Sequence, residues 1–460
     1  MRRWKRLIAV ISSCVLAGIT AACGPVTQVH PCGCYGMNLE NTFSAAPSPA
    51  NTLTAGQVAR LHVVWTVPTA GMVGSPPVEA GADIYFDSWG GVVYKVLART
   101  GAVLWRRTFP SAATTAYGAV GFAGSPAVSG RAVFVSGADT RVYALDARNG
   151  AVIWQTSVRR PGQTNFLWGG PQVWGGRVFV GVSSAVDTPT EQGREVALSA
   201  RSGRRLWDVS MVHYKGGGAS VVPVAAVDPG RGLVYVATGN PTPERYNTTA
   251  PGHTPPGPDL YSDSMVAFHA ASGRIAWYHQ TISHDRYDLD FIASVNLFPT
   301  TRGLAAGDGE KNATYYALSA HSGKPLWQAH LAPAHTYTTI VATAAYANGR
   351  LFVPTMNSPL VGAKATQPYG QLVALNASTG RALWAHPLPA VIEAAPVVMG
   401  AFVFVADDSG DVLALRASTG QLVGEWHFPG AVWGGLSAAQ GMVLVPVGGS
   451  HSEVVALEVA

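Results

Sequence analysis

ValTyrAlaLeuAspAlaArgAsnGlyAlaValIleTrp, residues 142–154, decides the fold, because this phrase occurs seven times along the chain. ValTyrLysValLeuAlaArgThrGlyAlaValLeuTrp at 93–105 is a second copy, and others end at Trp207, Trp277, Trp327, Trp384 and, with two extra residues, Trp426. Each copy joins a short strand of branched and aromatic residues to a small-residue turn ending in Gly, then to Trp. The turn needs a positive φ, which Gly150, Gly203, Gly273, Gly323, Gly380 and Gly420 adopt without steric cost. Successive Trp residues lie 42 to 70 positions apart, the period of propeller blades, each a small sheet that cannot bury its faces alone. An eighth copy is split between the chain ends: ValValAlaLeuGluVal at 454–459 has the strand, and LeuHisValValTrp at 61–65 has the Trp. Pairing the two closes the ring and removes its open edges. The reading is an all-β protein, an eight-bladed β-propeller with tryptophan-docking motifs closed by its N- and C-terminal strands.

The 460 residues are 48% hydrophobic and form one repeat-built domain over 55–460. The formal charge of +5 belongs mostly to Arg2, Arg3, Lys5 and Arg6, which excludes a nucleic-acid surface in the ring. Residues 1–22, with a basic start and an apolar run from Leu7 to Ile19, read as a signal peptide. ThrAlaAlaCys at 20–23 resembles a lipobox, so Cys23 is expected to be lipidated, with plain secretion as the alternative. Residues 23–54, rich in Pro, Ser, Ala, Asn and Thr, are expected to be a flexible tether from the membrane to the ring. That places the protein outside the cytoplasm, in the cell envelope, held to the membrane by its lipid only. Cys32 and Cys34 could pair in an oxidising compartment; there is no CysXaaXaaCysHis, so no haem is expected.

The longest interval, Trp207 to Trp277, carries extra loop, and loops on one face of a rigid ring are where sites are held. Nearby, three of the seven residues from His284 to Asp290 are Asp, in a chain only 12% charged. Asp288 and Asp290 alternate at strand period, so both can present carboxylates to one cation. Trp168 and Trp433 stand beside Gly pairs at blade starts and read as axial packing, at positions where a cofactor could also touch them.

The run GlyAsnProThrPro (239–243), TyrSerAspSer (261–264), TrpTyrHisGlnThr (277–281) and HisAspArgTyrAspLeuAsp (284–290) resembles the quinoprotein alcohol dehydrogenases, which use pyrroloquinoline quinone. LeuThrAlaGlyGlnValAlaArgLeuHisValValTrpThr at 53–66 and GluLysAsnAlaThrTyrTyrAlaLeu at 310–318 extend the resemblance over nearly the whole chain. It implies oxidation of a small alcohol, an external electron acceptor, and a calcium or lanthanide ion. Asn240, Asp288 and an acid after GlyValSerSerAlaVal (Asp187, or Glu191 second) match the metal ligands, and Asp290 matches the extra carboxylate of the lanthanide branch. Asp288 also matches the catalytic base. Ser183, Ser184, Val222 and Lys311 fall on the cofactor side, Lys311 toward the quinone oxygens. Two departures stand out: Val222 occupies the place of the Trp on which the family stacks its cofactor, and 113–125 lacks the family's adjacent cysteines. The second reading is a membrane-tethered propeller without catalysis, a scaffold for assembly or interaction.

Overall fold

The computed structural model describes residues 31–109, 113–115, 118–184, 192–212, 217–242, 260–283, 285, 287–360 and 366–459. Cys23, Asp187 and Glu191 lie outside them. Eight antiparallel sheets of four or more strands follow one another around an axis, at residues 78–108, 127–157, 172–210, 226–280, 296–330, 345–388 and 397–427, with the eighth built from 437–459 and 61–68. We call these blades 1 to 8. Blade 8 is closed by the two ends of the chain, with Trp65 opposite Ala456 and Leu61 opposite Val459.

The repeated phrase locks each blade to the next. The indole of Trp154 donates to the carbonyl of Ala200 at 3.0 Å, and those of Trp207 and Trp277 donate to Ala270 and Ala320 at the same distance. Each ring lies over the turn glycine of the following blade, so close that a Cβ on Gly203 would stand 2.6 Å from Trp154 and one on Gly273 2.7 Å from Trp207. The glycine is therefore required twice, by its positive φ and by the ring above it. At the seam, where no turn glycine follows, Trp426 donates to the carbonyl of Leu61 at 2.9 Å.

One expectation is corrected. From Pro31 onward the supposed tether is part of the fold, with Leu39, Asn41 and Phe43 buried. Its backbone accepts from the inner strands of successive blades: Gly33 from Val128, Leu39 from Val227, Glu40 from Leu297, Thr42 from Tyr346 and Phe43 from Val398. The Asn41 amide donates to the carbonyls of Val224 and Val295, both at 3.2 Å. Cys32 and Cys34 form a disulfide beside it. The cause is geometric: inner strands of a ring point free backbone groups at the axis, and an extended polar segment satisfies them. This segment plugs one end of the ring.

Candidate active site

Before the inner strand of every blade runs a tetrapeptide whose first residue is Val73, Ala123, Trp168, Val222, Ile292, Val341, Glu393 or Trp433, followed by small residues. The small residues let the eight blades approach the axis and bond to one another there. The Ser125 hydroxyl donates to the Pro76 carbonyl at 2.8 Å, and the amides of Val224 and Ser294 donate to the hydroxyls of Ser294 and Thr343, both at 2.9 Å. Between this ring and Tyr35 of the plug lies an axial cavity of about 220 Å³. Trp89, Trp168, Val222, Glu393 and Trp433 line it. Trp168 and Trp433 thus border open space as well as packing the axis.

The polar site stands where blade 4 passes to blade 5. Asn240 follows the second strand of blade 4, Asp288 and Asp290 sit in the connection to blade 5, and Lys311 heads a hairpin of blade 5. The expected alternation of Asp288 and Asp290 along a strand does not occur; residues 287–295 are irregular, and Asp288 has φ 57°. Asp tolerates that left-handed conformation better than most residues. Asp285 shapes the turn, its carboxylate accepting from the amides of Tyr287 at 2.8 Å and Leu289 at 2.6 Å. Backbone folding, rather than pleat, therefore turns both carboxylates inward.

They meet at Lys311. Its ammonium lies 2.5 Å from Asp288 Oδ1 and 2.7 Å from Asp290 Oδ1. The Asn240 side-chain amide donates to Asp288 Oδ1 at 3.1 Å, and its backbone amide donates to Asp290 Oδ2 at 3.0 Å. Gly239 makes room, since a Cβ there would stand 2.7 Å from Asp290 Oδ2. Four of the expected site residues, from three separate segments, are thus in mutual contact.

Burial controls the charge of this cluster. It pushes Asp290 up to about 7, against the opposing pull of Lys311. Burial alone would lower the Lys311 ammonium, but Asp290 and Asp288 outweigh it and hold the group above its ordinary value. Behind them are two acids that the sequence reading passed over. Glu310 accepts from the Thr281 hydroxyl and the Asn312 amide and is raised to about 8, first by burial. Asp263 is raised well above the usual carboxylate range, by burial and then by Asp290. Both lie inside motifs already quoted, and their signal was an acid within an otherwise apolar blade repeat.

Ser183 and Ser184 do not line the axial cavity; the Ser183 hydroxyl donates to the Phe166 carbonyl at 3.2 Å inside blade 3. Their backbone instead links cavity to site, because Trp168 Nε1 donates to the Ser184 carbonyl at 3.0 Å and the Ser184 amide donates to Ser220 Oγ at 3.4 Å. Val222 does border the cavity.

A hard-oxygen set beside a lysine suits a hard cation together with anionic oxygens, and tryptophan walls suit a flat ring system. Among the described residues no three His, Cys, Asp or Glu side chains are already arranged to hold a metal ion; Lys311 takes the cation's part between the two aspartates. The residues fit a quinone and its cation in kind.

Residues 41–340 match the family model for the glucose/ethanol/alcohol dehydrogenase β-propeller domain, and residues 310–460 match that of the outer membrane protein assembly factor BamB. A polyvinylalcohol dehydrogenase of Pseudomonas is 25% identical over 438 residues, 83% of this chain and 65% of that one. The quinohemoprotein alcohol dehydrogenase ADH IIB of Pseudomonas putida is 28% identical over 310 residues, 60% of this chain and 44% of that one. The chain therefore spans less than two thirds of the length of these relatives. In three dimensions it resembles the quinohemoprotein alcohol dehydrogenase of Comamonas testosteroni, with a TM-score of 0.78 at 18% identity, covering 93% of this chain and 80% of that one. It also resembles a europium-containing methanol dehydrogenase, with a TM-score of 0.75 at 17% identity, covering 93% of this chain and 91% of that one.

Proposed function

Since this chain belongs to the pyrroloquinoline quinone-dependent dehydrogenase propellers, we propose that it is an exported enzyme that oxidises a small alcohol with that quinone and a calcium or lanthanide ion, passing electrons to an external acceptor. The observation that carries the reading is the convergence of Asn240 and Lys311 on the carboxylates of Asp288 and Asp290. When bound, the quinone supplies the hydride acceptor and the cation a Lewis acid. Asn240, Asp288 and Asp290, with Asp187 or Glu191, would hold the cation. Lys311 would donate to quinone oxygens, with Trp168 and Val222 beside the ring system.

Asp288 is the residue to take the alcohol proton. It is the more open of the two aspartates, 41% exposed at its side chain against 7% for Asp290. Its position is held by the Asn240 amide and by Lys311, so little reorganisation precedes the transfer. Asp290, buried behind it, does most to keep Lys311 protonated and aimed at the site. The apolar rim of Val222, Ile292 and Val341 limits water near the axis.

The test is dye-linked oxidation of simple alcohols by the purified chain reconstituted with quinone and metal. Asp288→Asn should lower the rate by roughly 10²–10⁴-fold, the usual worth of a positioned general base, while leaving the denaturation midpoint unchanged. Wild-type protein that neither binds the quinone nor reduces the dye would hand the case to the scaffold reading. That alternative draws on the match over 310–460, a region that holds Lys311 but not Asn240, Asp288 or Asp290. Export and lipid attachment at Cys23 belong to the same proposal and are checked by mass analysis of the mature N-terminus.

A further inference from the structure

The axial cavity has an acidic side that the dehydrogenase reading does not use. Of the eight residues that head the axial tetrapeptides, seven are apolar or aromatic; in blade 7 the place is taken by Glu393. Of the described residues lining the cavity, Glu393 alone carries a formal charge. It is only partly exposed, and among the described residues no Lys, Arg or His is ion-paired with it. The next loop of the same blade brings a second acid, Asp408, anchored by its backbone amide to the Val391 carbonyl at 3.0 Å. Beside these acids stand two indoles, Trp89 of blade 1 and Trp433 before blade 8, with ring centroids 6.3 Å apart and planes inclined at 58°. Trp168 adds a third aromatic wall.

We propose that this cavity binds a small organic cation of the ammonium or quaternary ammonium class. Three indoles and one carboxylate line the same cavity, and aromatic walls with a carboxylate beside them select a diffuse, weakly hydrated cation. A neutral guest of the same shape would gain the apolar contact but not the electrostatic attraction, and an anion would meet Glu393. The volume of about 220 Å³ leaves room for a trimethylammonium head with a short tail. The charge state of the acids agrees. Burial raises Asp408 to about 7, helped by the nearby Glu393, and burial also raises Glu393. Glu393, in a partly dry cavity with no paired base among the described residues, is relieved by a cation beside it. As a binding site this stands by itself; as recognition of a substrate, an alcohol that also carries an ammonium group, it rests on the dehydrogenase reading.

The experiment titrates the full chain, without quinone or metal, with choline and with 3,3-dimethylbutan-1-ol, its uncharged isostere, following tryptophan fluorescence and heat. Choline should bind and change the fluorescence, with the neutral alcohol at least about tenfold weaker. Glu393→Gln should weaken choline about tenfold and leave the neutral alcohol unchanged, while Trp433→Leu should weaken both. Equal affinity for the two ligands, choline affinity unaffected by Glu393→Gln, or no choline binding at 100-fold molar excess over millimolar protein, would each overturn the proposal. The denaturation midpoint of each variant shows that it is folded, and Glu393→Gln is conservative enough to stand if Trp433→Leu does not. Because quinone and metal are left out, failure here leaves the dehydrogenase reading intact, and absence of dye reduction leaves this one intact.

Discussion

Lys311 is the residue on which the two candidate readings of the site separate. Its ammonium occupies the space between Asp288 and Asp290 that a bound cation would share. A tethered charge competes with a free one, because both draw on the same carboxylate oxygens. Lys311→Met should therefore tighten terbium binding, measured by sensitised luminescence, by roughly tenfold, since one competing ion pair worth about 1.4 kcal/mol is removed. Unchanged or weaker binding would mean that Lys311 helps to build the metal site instead of competing for it. The lysine and both aspartates were legible as a set from their motifs. Their contact was not, since Asp288 reaches Lys311 through a left-handed backbone that no periodicity announces.

At the scale of elements, the blade junction is a tryptophan over a glycine. Gly273 sits at φ 71° beneath Trp207, which also donates to the carbonyl of Ala270. Gly273→Ala would place a Cβ in a left-handed conformation, at about 1–2 kcal/mol, and press it 2.7 Å from the ring. The expected loss is about 2 kcal/mol or more in chemical denaturation, with a red-shifted, less structured tryptophan signal. A loss under about 0.5 kcal/mol would show that the indole swings aside freely. The phrase itself predicted this junction, because turn, strand and ring are local in sequence. The plug shows the opposite case. Its composition resembles that of a linker, yet Asn41 is held by the carbonyls of Val224 and Val295, some 180 and 250 residues away.

For the whole molecule, closure is the property that matters. Blade 8 is held by strand 61–68 against 453–459, with Trp65 opposite Ala456 and Thr66 opposite Val455. Removing residues 454–460 would leave the strand at 61–68 without its partner and open both ring edges. The truncated chain should unfold at markedly lower denaturant, lose single-transition behaviour and aggregate. A truncation that kept the wild-type midpoint would show that seven blades suffice. Closure also sets the functional face, because it brings Trp89 of blade 1 beside Trp433 ahead of blade 8, a pair that no linear reading associates.

The sequence by itself determined the blade count, the seam and the residue types of the polar site, because each of these is carried by local spacing: a strand, a glycine turn, a tryptophan, an Asp two residues from another. Only the tertiary structure decided that Lys311 bridges the two aspartates, that Ser183 turns inward, that residues from Pro31 onward seal one end of the axis, and that Glu393 lines one cavity with three tryptophans. These depend on which groups the curvature of a closed ring brings to its centre. Eight separate segments meet there, and no single segment carries the information about its neighbours around the axis.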